Sequence, residues 1–568
     1  MTSPSQPTTM TPIRTQVRDA VARAWRAAIE TGSLPPIADD QPAVEVLIER
    51  PANAEHGDFA SNLAMKLARP YRRSPLEIAG ALAAAINADA ADPAVASPIA
   101  SAATAPPGFL NLRLTDAALE ATLRSVLADG AAWGRVPPVR PRRVNVEFVS
   151  ANPTGPLTIG NARGAFVGDL LCRVLEAGGQ TVTREYYFND SGGQIDNLGG
   201  SVLAVRRGDP IPEDGYHGEY VRELAAEVPD QVWASATADG ADGPAILGHW
   251  AAGRVRARIE ASLDRLGVHF DVWKSEGSLH AEGWVERAIE RLRAGDHVYT
   301  SDGALWFRST AFGDDKDRVI IRADGRPTYF AADIGYVTEK FSRGFDHLIY
   351  IWGADHHGTV ARVRNAATAM GYDQATVQML LYSWVRFIRD GVEISMSKRA
   401  GEFITLDELL EEVGVDAARW FFASRAATTG IDFDIELAKT QSADNPVYYV
   451  QYAHARIASI LRKAADAGLD PADGVAGLLA GGPEAALARA IVRFPEVVED
   501  AARTEETHGV TAYATELATR FHAFYRDARV VDADEPARSA GRLALVSAAR
   551  VTLANALGLL GISAPESM

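Results

Sequence analysis

The chain has 568 residues, 47% hydrophobic and 23% charged, a balance that belongs to globular proteins of several domains and excludes a disordered or fibrous chain. Its single cysteine, Cys172, excludes a disulfide framework or a thiolate zinc site within one chain, and a formal net charge of −17 excludes a general basic coat for nucleic acid while leaving room for a local basic stripe. No run of eighteen apolar residues occurs, and the start, MTSPSQPTTMTPIRTQ, lacks the apolar core of a secretory leader, so the expected setting is the cytoplasm, without a membrane span.

Residues 1–115 read as a small α/β domain. HGDFASNLAMKLARPYRRSPLEIAGALAAAI carries apolar residues at helical spacing, and PPGFLNLRL reads as a strand that closes the unit. Residues 116–143 hold a helix and then VPPVRPRR, a proline-rich basic linker. From 144 to 430 strands and helices alternate, which predicts a parallel sheet of Rossmann type. VNVEFVS (144–150) is a strand, NARGAFVGDLLCRVLEAGG a helix closed by glycine, and TVTREYYF a second strand. An insertion at about 197–262, polar and rich in Gly, Asp and Ala, is expected to carry mobile loops, with RRGDPIPEDG and ATADGADGPA among its stretches. HVYTSDGALWFRS and RVIIRADGRPTYFAADI both read as hairpins with Asp-Gly turns, and HLIYIWGAD as a central strand. ITLDELLEEVG opens with a capping box, Thr405 to Glu408. Residues 431–568 have helical periodicity throughout and predict an all-α bundle that begins with DNPVYYVQYAHARIASILRKA.

Three stretches carry candidate chemistry. ANPTGPLTIGNAR (151–163) lies between a strand and a helix, where free amides and the positive end of a helix dipole meet; it fits a phosphate cradle or an ordinary strand-to-helix turn. MSKRAG (396–401) centres Lys398 and Arg399 in a Ser- and Gly-flanked loop, either a cation that follows charge developing in a transition state or a solvated turn. WGADHHG (352–358) stands at the C-terminal end of a strand. Asp355, His356 and His357 could ligate a metal or bond a sugar and a base, and the alternation of side chains along a strand disfavours three ligands on one ion.

Taken together, these stretches resemble a known family. NPTGPLTIGN is similar to the His-Ile-Gly-His signature region of class I aminoacyl-tRNA synthetases, MSKRAG resembles their Lys-Met-Ser-Lys-Ser signature, and WGADHHG matches their adenosine-contacting strand end. VEFVSANPTGPL, REYYFNDSGGQI, FDVWKSE, PTYFAADIGY and DNPVYYVQYAHARI, in this order, narrow the resemblance to the arginyl-tRNA synthetase family over essentially the whole chain. The resemblance implies ATP-dependent activation of arginine and its transfer to tRNA. It implies Mg²⁺ with ATP, no protein-ligated metal, and a monomer.

Residue by residue, the resemblance assigns Thr158, Gly160, Asn161 and Lys398 to catalysis. Glu147, Ser150, Asn152, Glu276, Tyr329, Asp333 and His356 fall to arginine. Ala151, Pro153, Thr154, Gly155, Pro156, Leu157, Ile159, Gly353, Asp355, Met396, Ser397 and Arg399 fall to ATP. Tyr449, Gln451, Tyr452, His454 and Arg456 fall to tRNA, and the N-terminal domain to the tRNA elbow. Thr158 and Asn161 stand where the family has histidines, and Ser395 where it has lysine, so cradle and cation are expected to rely on amides, neutral donors and Lys398. The competing expectation is a catalytically weakened relative that binds tRNA or nucleotide. A synthetase for another amino acid is disfavoured by the paired acids Glu276 and Asp333, which suit a planar guanidinium.

Overall fold

The structure is a computed structural model that describes residues 11–37, 43–138, 140–190, 192–394, 405–472, 474–475, 477–479, 481–532 and 534–568. The N-terminal unit is a three-stranded antiparallel sheet with Phe109–Leu114 between Phe59–Ser61 and Ile99–Ala105. Helices Ile13–Glu30, Leu63–Tyr71 and Pro75–Ala91 bury the stripe that includes Val17, Val21, Leu63, Leu67, Ile78 and Leu82 against it. The helix expected after it, Asp116–Asp129, is capped by Thr115, whose side chain accepts from the Ala118 N–H at 3.1 Å. It packs on the C-terminal helices.

The central sheet is fully parallel. β1 (Arg143–Phe148) leads into α1 (Ile159–Ala177) and β2 (Thr181–Phe188); β3 (Val272–Ser275) follows the insertion; β4 (His347–Gly353) and β5 (Val377–Tyr382) complete it. The strand order is β5-β4-β1-β2-β3. β4 is bonded on both sides, as its apolar run predicts, although the sheet's middle strand is β1.

The insertion has more regular structure than its composition suggests. Across it run α2 (Gly193–Arg207), α3 (Glu219–Glu227), α4 (Asp230–Ala236) and α5 (Gly243–Leu266), a helical layer whose loops at 208–218 and 237–242 fall on the polar Gly- and Asp-rich stretches. Its glycines serve close packing: a Cβ on Gly199 would fall 1.9 Å from the Pro244 carbonyl oxygen, and one on Gly248 would fall 2.3 Å from that of Ile195. Composition that reads as loop is here the condition for two helices to touch backbone to backbone.

The two hairpins also divide. Val298–Ser301 and Ala304–Phe307 pair around Asp302-Gly303, both at positive φ, as expected. Arg318–Ile321 instead pairs with Ala304–Phe307, and after the Asp324-Gly325 turn the chain makes one bridge, Ile321 to Pro327, before entering α6 (Tyr329–Ser342). Thr328 caps that helix, its hydroxyl accepting from the Ala331 N–H at 3.4 Å. A cap therefore overrides what reads as a second strand.

Beyond β5 come β6 (Val385–Arg389), its short partner Val392–Glu393, and α7 (Leu406–Val413). The C-terminal helices include α8 (Pro446–Asp466), α9 (Gly509–Asp527) and α10 (Pro536–Leu560). By length and composition α10 could cross a bilayer, but most of its apolar stretch is buried against α8, α9 and Gly482–Val492.

Candidate active site

The order of the strands reverses between β1 and β4, so the loops that follow them diverge and leave a crevice at their C-terminal ends. A cavity of about 720 Å³ opens there. One end is acidic. Glu147 ends β1, Glu276 starts the short helix after β3, and Asp333 projects from α6, all three lining the cavity. Spacings of four, three and four place Tyr329, Asp333, Tyr336 and Lys340 on one face of α6.

Glu147 is neutralised by fully buried Lys340, Nζ to Oε2 2.6 Å. The Lys340 ammonium also sits 4.2 Å from the Tyr336 ring centre and 3.9 Å from that of Tyr350. Glu276 accepts from the Tyr187 hydroxyl at 2.8 Å. Among the described residues no cation pairs with Asp333: burial, then repulsion from Glu147 and Glu276, pushes it up to about 7. Beneath them Glu185 takes both Arg343 nitrogens at 2.7 Å, the Asn145 amide at 2.7 Å and the Tyr336 hydroxyl. Burial would raise Glu185, but Lys340 and Arg343 outweigh it and hold the carboxyl below the usual range. The floor is charge-matched, and the surplus negative charge sits at Glu276 and Asp333.

The other end is built from the loop after β1. Val149 and Ser150 both have positive φ, 66° and 42°, which is costly for a β-branched residue. The turn is held from two sides. Ser150 Oγ donates to Glu147 at 3.1 Å and accepts from the Tyr187 N–H at 3.2 Å. The Tyr186 hydroxyl donates to the Ala151 carbonyl at 2.8 Å and accepts its N–H at 3.1 Å. Asn152 lines the cavity but is anchored by Gln194, its amide donating at 2.7 Å.

Thr158, Gly160 and Asn161 face the cavity at the start of α1. Asn161 Oδ1 accepts from the Thr158 hydroxyl at 2.8 Å and from the Thr158 N–H at 3.3 Å. The Thr158 proton expected for a phosphate is thus already given to Asn161. The Asn161 N–H is also taken, by the Thr158 carbonyl at 3.0 Å, which leaves the Asn161 side-chain NH₂ and the Gly160 N–H to face an anion. Leu406 N donates to the Leu157 carbonyl at 2.9 Å, and Thr158 bridges Thr405, so the start of α7 docks directly on this loop. Met396, Ser397, Lys398 and Arg399, like Ser395, lie outside the described residues.

Several expected ligands are placed elsewhere. Pro153, Leu157 and Ile159 are buried beneath the loop. Thr154, Gly155 and Pro156 do not line the cavity: the Tyr220 hydroxyl of α3 donates to the Thr154 carbonyl at 2.9 Å, and Gly155 faces the same ring. Of the loop residues assigned to ATP, Ala151 alone lines the cavity. Gly353, Asp355, His356 and the exposed Tyr329 do line it. His357 turns to the Ala354 carbonyl, Nδ1 to O 3.2 Å, so the Asp-His-His run does not converge. Tyr187, Tyr336, Lys340 and Trp384 were missed by the sequence reading. The α6 period would have found Tyr336 and Lys340.

On α8, His454 is buried, bonded through Nδ1 to the Pro565 carbonyl at 2.8 Å, and burial lowers its pKa. Gln451 donates to Asp416 at 2.7 Å and to the Ser563 carbonyl at 3.0 Å. The polar atoms of both thus tie α8 to the rest of the chain. Tyr449 is half-buried, its ring 4.9 Å from His522. The Arg456 guanidinium lies 4.7 Å from the Tyr452 ring centre and 5.0 Å from that of the exposed Tyr525.

Residues 12–114 match a family model described as the arginyl tRNA synthetase N terminal domain, residues 251–431 one described as tRNA synthetases class I (R), catalytic domain, and residues 450–568 the DALR anticodon binding domain. Arginine–tRNA ligase of Frankia alni is 45% identical over 575 aligned residues, covering 98% of this chain and 100% of that protein. Arginine–tRNA ligase of Citrifermentans bemidjiense is 44% identical over 564, with the same coverage. Among solved structures, Thermus thermophilus arginyl-tRNA synthetase superposes with a TM-score of 0.74 at 25% identity, over 98% of this chain and 100% of that one. With an acid-lined cavity at the switch point of a parallel sheet and likeness along nearly its whole length, the chain belongs to the arginyl-tRNA synthetase family of class I enzymes.

Proposed function

We infer that the protein joins L-arginine to its cognate tRNA at the expense of ATP. The observation that carries this reading is the convergence of Glu276 and Asp333 on a cavity shared with the N-terminal end of α1. A guanidinium is a planar fork of donors, and two acids at an angle hold it where lysine would satisfy one. Tyr187 fixes one acid. The arginine carboxylate then points toward the amide end, where the phosphates of ATP lie on the start of α1. Its oxygen attacks the α-phosphorus in line and pyrophosphate leaves; a hydroxyl of the tRNA's terminal adenosine then attacks the carbonyl carbon of the adenylate, loses its proton and displaces AMP. No protein nucleophile takes part; the chain positions the reactants and stabilises charge.

Mg²⁺ would enter with ATP and neutralise charge on its phosphates. Lys398 and Arg399 supply mobile positive charge. The exposed Tyr525 ring and the half-buried Tyr452 ring at Arg456, with Tyr449 beside them, receive unpaired tRNA bases. The enzyme works in the cytoplasm as a monomer built of an N-terminal tRNA-recognition domain (1–115), a linker (116–143), a catalytic domain (144–430) and an anticodon-binding domain (431–568).

The altered signature positions do not favour a weakened relative, because the acid pair lines the cavity together with Tyr187, which holds Glu276, and Glu147 keeps its Lys340 partner. The test is ATP–pyrophosphate exchange with each amino acid, with and without tRNA. Exchange specific to arginine is expected. Binding of tRNA without exchange for any amino acid would replace this reading with the weakened one.

A further inference from the structure

Arg163 is fully buried in α1, one turn beyond the phosphate end. Its partners are four backbone carbonyls. Nη1 donates to Ser383 at 2.8 Å and Trp384 at 2.9 Å, and Nη2 to Ala426 at 3.1 Å and Thr429 at 2.6 Å. Burial pulls the guanidinium down to about 10, which leaves it protonated at neutral pH. Among the described residues no carboxylate bonds it, and a buried cation held by carbonyls alone is an expensive way to fill space. Its planar fork, however, reaches two divergent segments at once, which a lysine cannot do.

The first of those segments is the cavity wall. Ser383 and Trp384 line it, and further bonds pin their backbone: Ser383 N to the Ala427 carbonyl at 2.9 Å and Ile431 N to the Trp384 carbonyl at 3.1 Å. The Trp384 side chain is nevertheless 57% exposed. Its ring lies so close to Gly430 that a Cβ there would fall 2.4 Å from it, and Arg386 stands 5.4 Å from the ring centre. A large flat surface is thus pinned through its backbone yet left open, in the cavity wall that also holds Gly353 and Asp355, two residues beyond Tyr382, the β5 partner of Gly353.

We propose that Trp384 is the platform on which the adenine ring of ATP stacks, and that Arg163 is the positioning residue that holds it there. The proposal rests on ATP occupying this cavity. Aromatic faces bind any base by stacking, and a pinned backbone removes the entropy of ordering the platform at each binding event.

The test is arginine- and tRNA-dependent pyrophosphate exchange by the full chain at saturating tRNA. Trp384→Ala is expected to raise the KM for ATP about tenfold while the KM for arginine stays within about twofold, and Trp384→Phe to restore most of the loss. Arg163→Lys, which keeps the charge and loses the fork, is expected to show the same ATP-specific rise. Combined with Trp384→Ala, it should add little to either single change, because both act through one surface. Arg163→Gln takes its place if the lysine variant is not cooperatively folded. An unchanged KM for ATP in Trp384→Ala overturns the platform, as does a rise confined to the KM for tRNA, which would assign the ring to the tRNA terminus. Additive losses in the double variant, or equal losses for ATP and arginine in the Arg163 variant, overturn the positioning role. Failure of the underlying reading is separate: the unmodified chain would then show no arginine-dependent exchange.

Discussion

Asp333 is where charge and solvation conflict most at the site. Burial and two neighbouring carboxylates hold it up near 7, while Lys340, the nearest cation on the same helix, is committed to Glu147. The free protein therefore keeps a proton on Asp333 below about pH 7, and a bound guanidinium favours its loss. Arginine affinity falls as pH drops through that value, by up to about tenfold per unit. The KM for arginine is expected to rise from pH 8 to pH 6, with Glu147, Glu276 and Lys340 in place. Asp333→Asn should bind arginine poorly at every pH and flatten the profile; a slope unchanged in that variant would assign the proton to another group. At the same scale, Tyr187→Phe removes the hydroxyl that orients Glu276. A neutral bond to a charged group is worth about 1.5–3 kcal/mol, so the KM for arginine should rise by roughly ten- to a hundredfold with the KM for ATP little changed. The acids themselves were legible in the sequence through the family resemblance. Their supports were less so, because Tyr187 and Lys340 become site residues through contacts made across 89 and 193 residues of chain.

Among the elements, α6 shows how a period carries chemistry: one face presents Tyr329, Asp333, Tyr336 and Lys340, and the rest of the helix packs as core. The start of α7 shows a different device. The Thr405–Glu408 capping box is present as expected, Thr405 Oγ accepting from the Glu408 N–H at 3.1 Å and Glu408 Oε2 accepting from the Thr405 N–H at 2.7 Å. The cap also sits on the loop before α1, through Thr405 against Thr158 and Leu406 against Leu157. Thr405→Ala should cost about 1 kcal/mol of local stability. It should also lower the exchange rate several-fold at saturating arginine and ATP, because one anchor of the segment carrying Lys398 loosens. A rate equal to that of the unmodified chain would separate the cap from catalysis. Lys398→Ala is expected to slow activation more than tenfold, which corresponds to over ~1.4 kcal/mol lost in the transition state. An unchanged single-turnover rate would remove that lysine from the mechanism. The glycine-rich insertion, by contrast, was only partly legible: its loops fall where composition puts them, but glycine also serves a close helix crossing there, and only the partner helix decides between the two.

Across the whole molecule, the N-terminal unit is fastened to the C-terminal helices by charge. Arg50 grips buried Glu496 through two bonds, at 2.7 and 2.8 Å; Arg14 reaches Asp500 at 2.7 Å; and Asp58 takes Arg489 at 2.6 Å. Arg50→Ala strands the Glu496 carboxylate with Arg14 at 3.6 Å, and costs about 2–4 kcal/mol at that interface. Limited proteolysis should then cut the N-terminal unit faster while the KM for arginine holds; equal protection would mean that apolar packing alone joins the units. Read along the chain, hydrophobic periodicity, caps and glycine-bounded turns were enough to determine a Rossmann-type catalytic region, an α/β N-terminal unit and a helical C-terminal one, because those signals are local and repeat within a few residues. Which donors are free could not be read that way. The Thr158 hydroxyl is consumed by Asn161, His454 and Gln451 are drawn inward by the C-terminal tail, and Arg163, the lone charge of the first loop, turns from solvent to four carbonyls. A side chain's availability depends on which polar groups the fold brings within bonding distance, and only the tertiary structure assembles those neighbours.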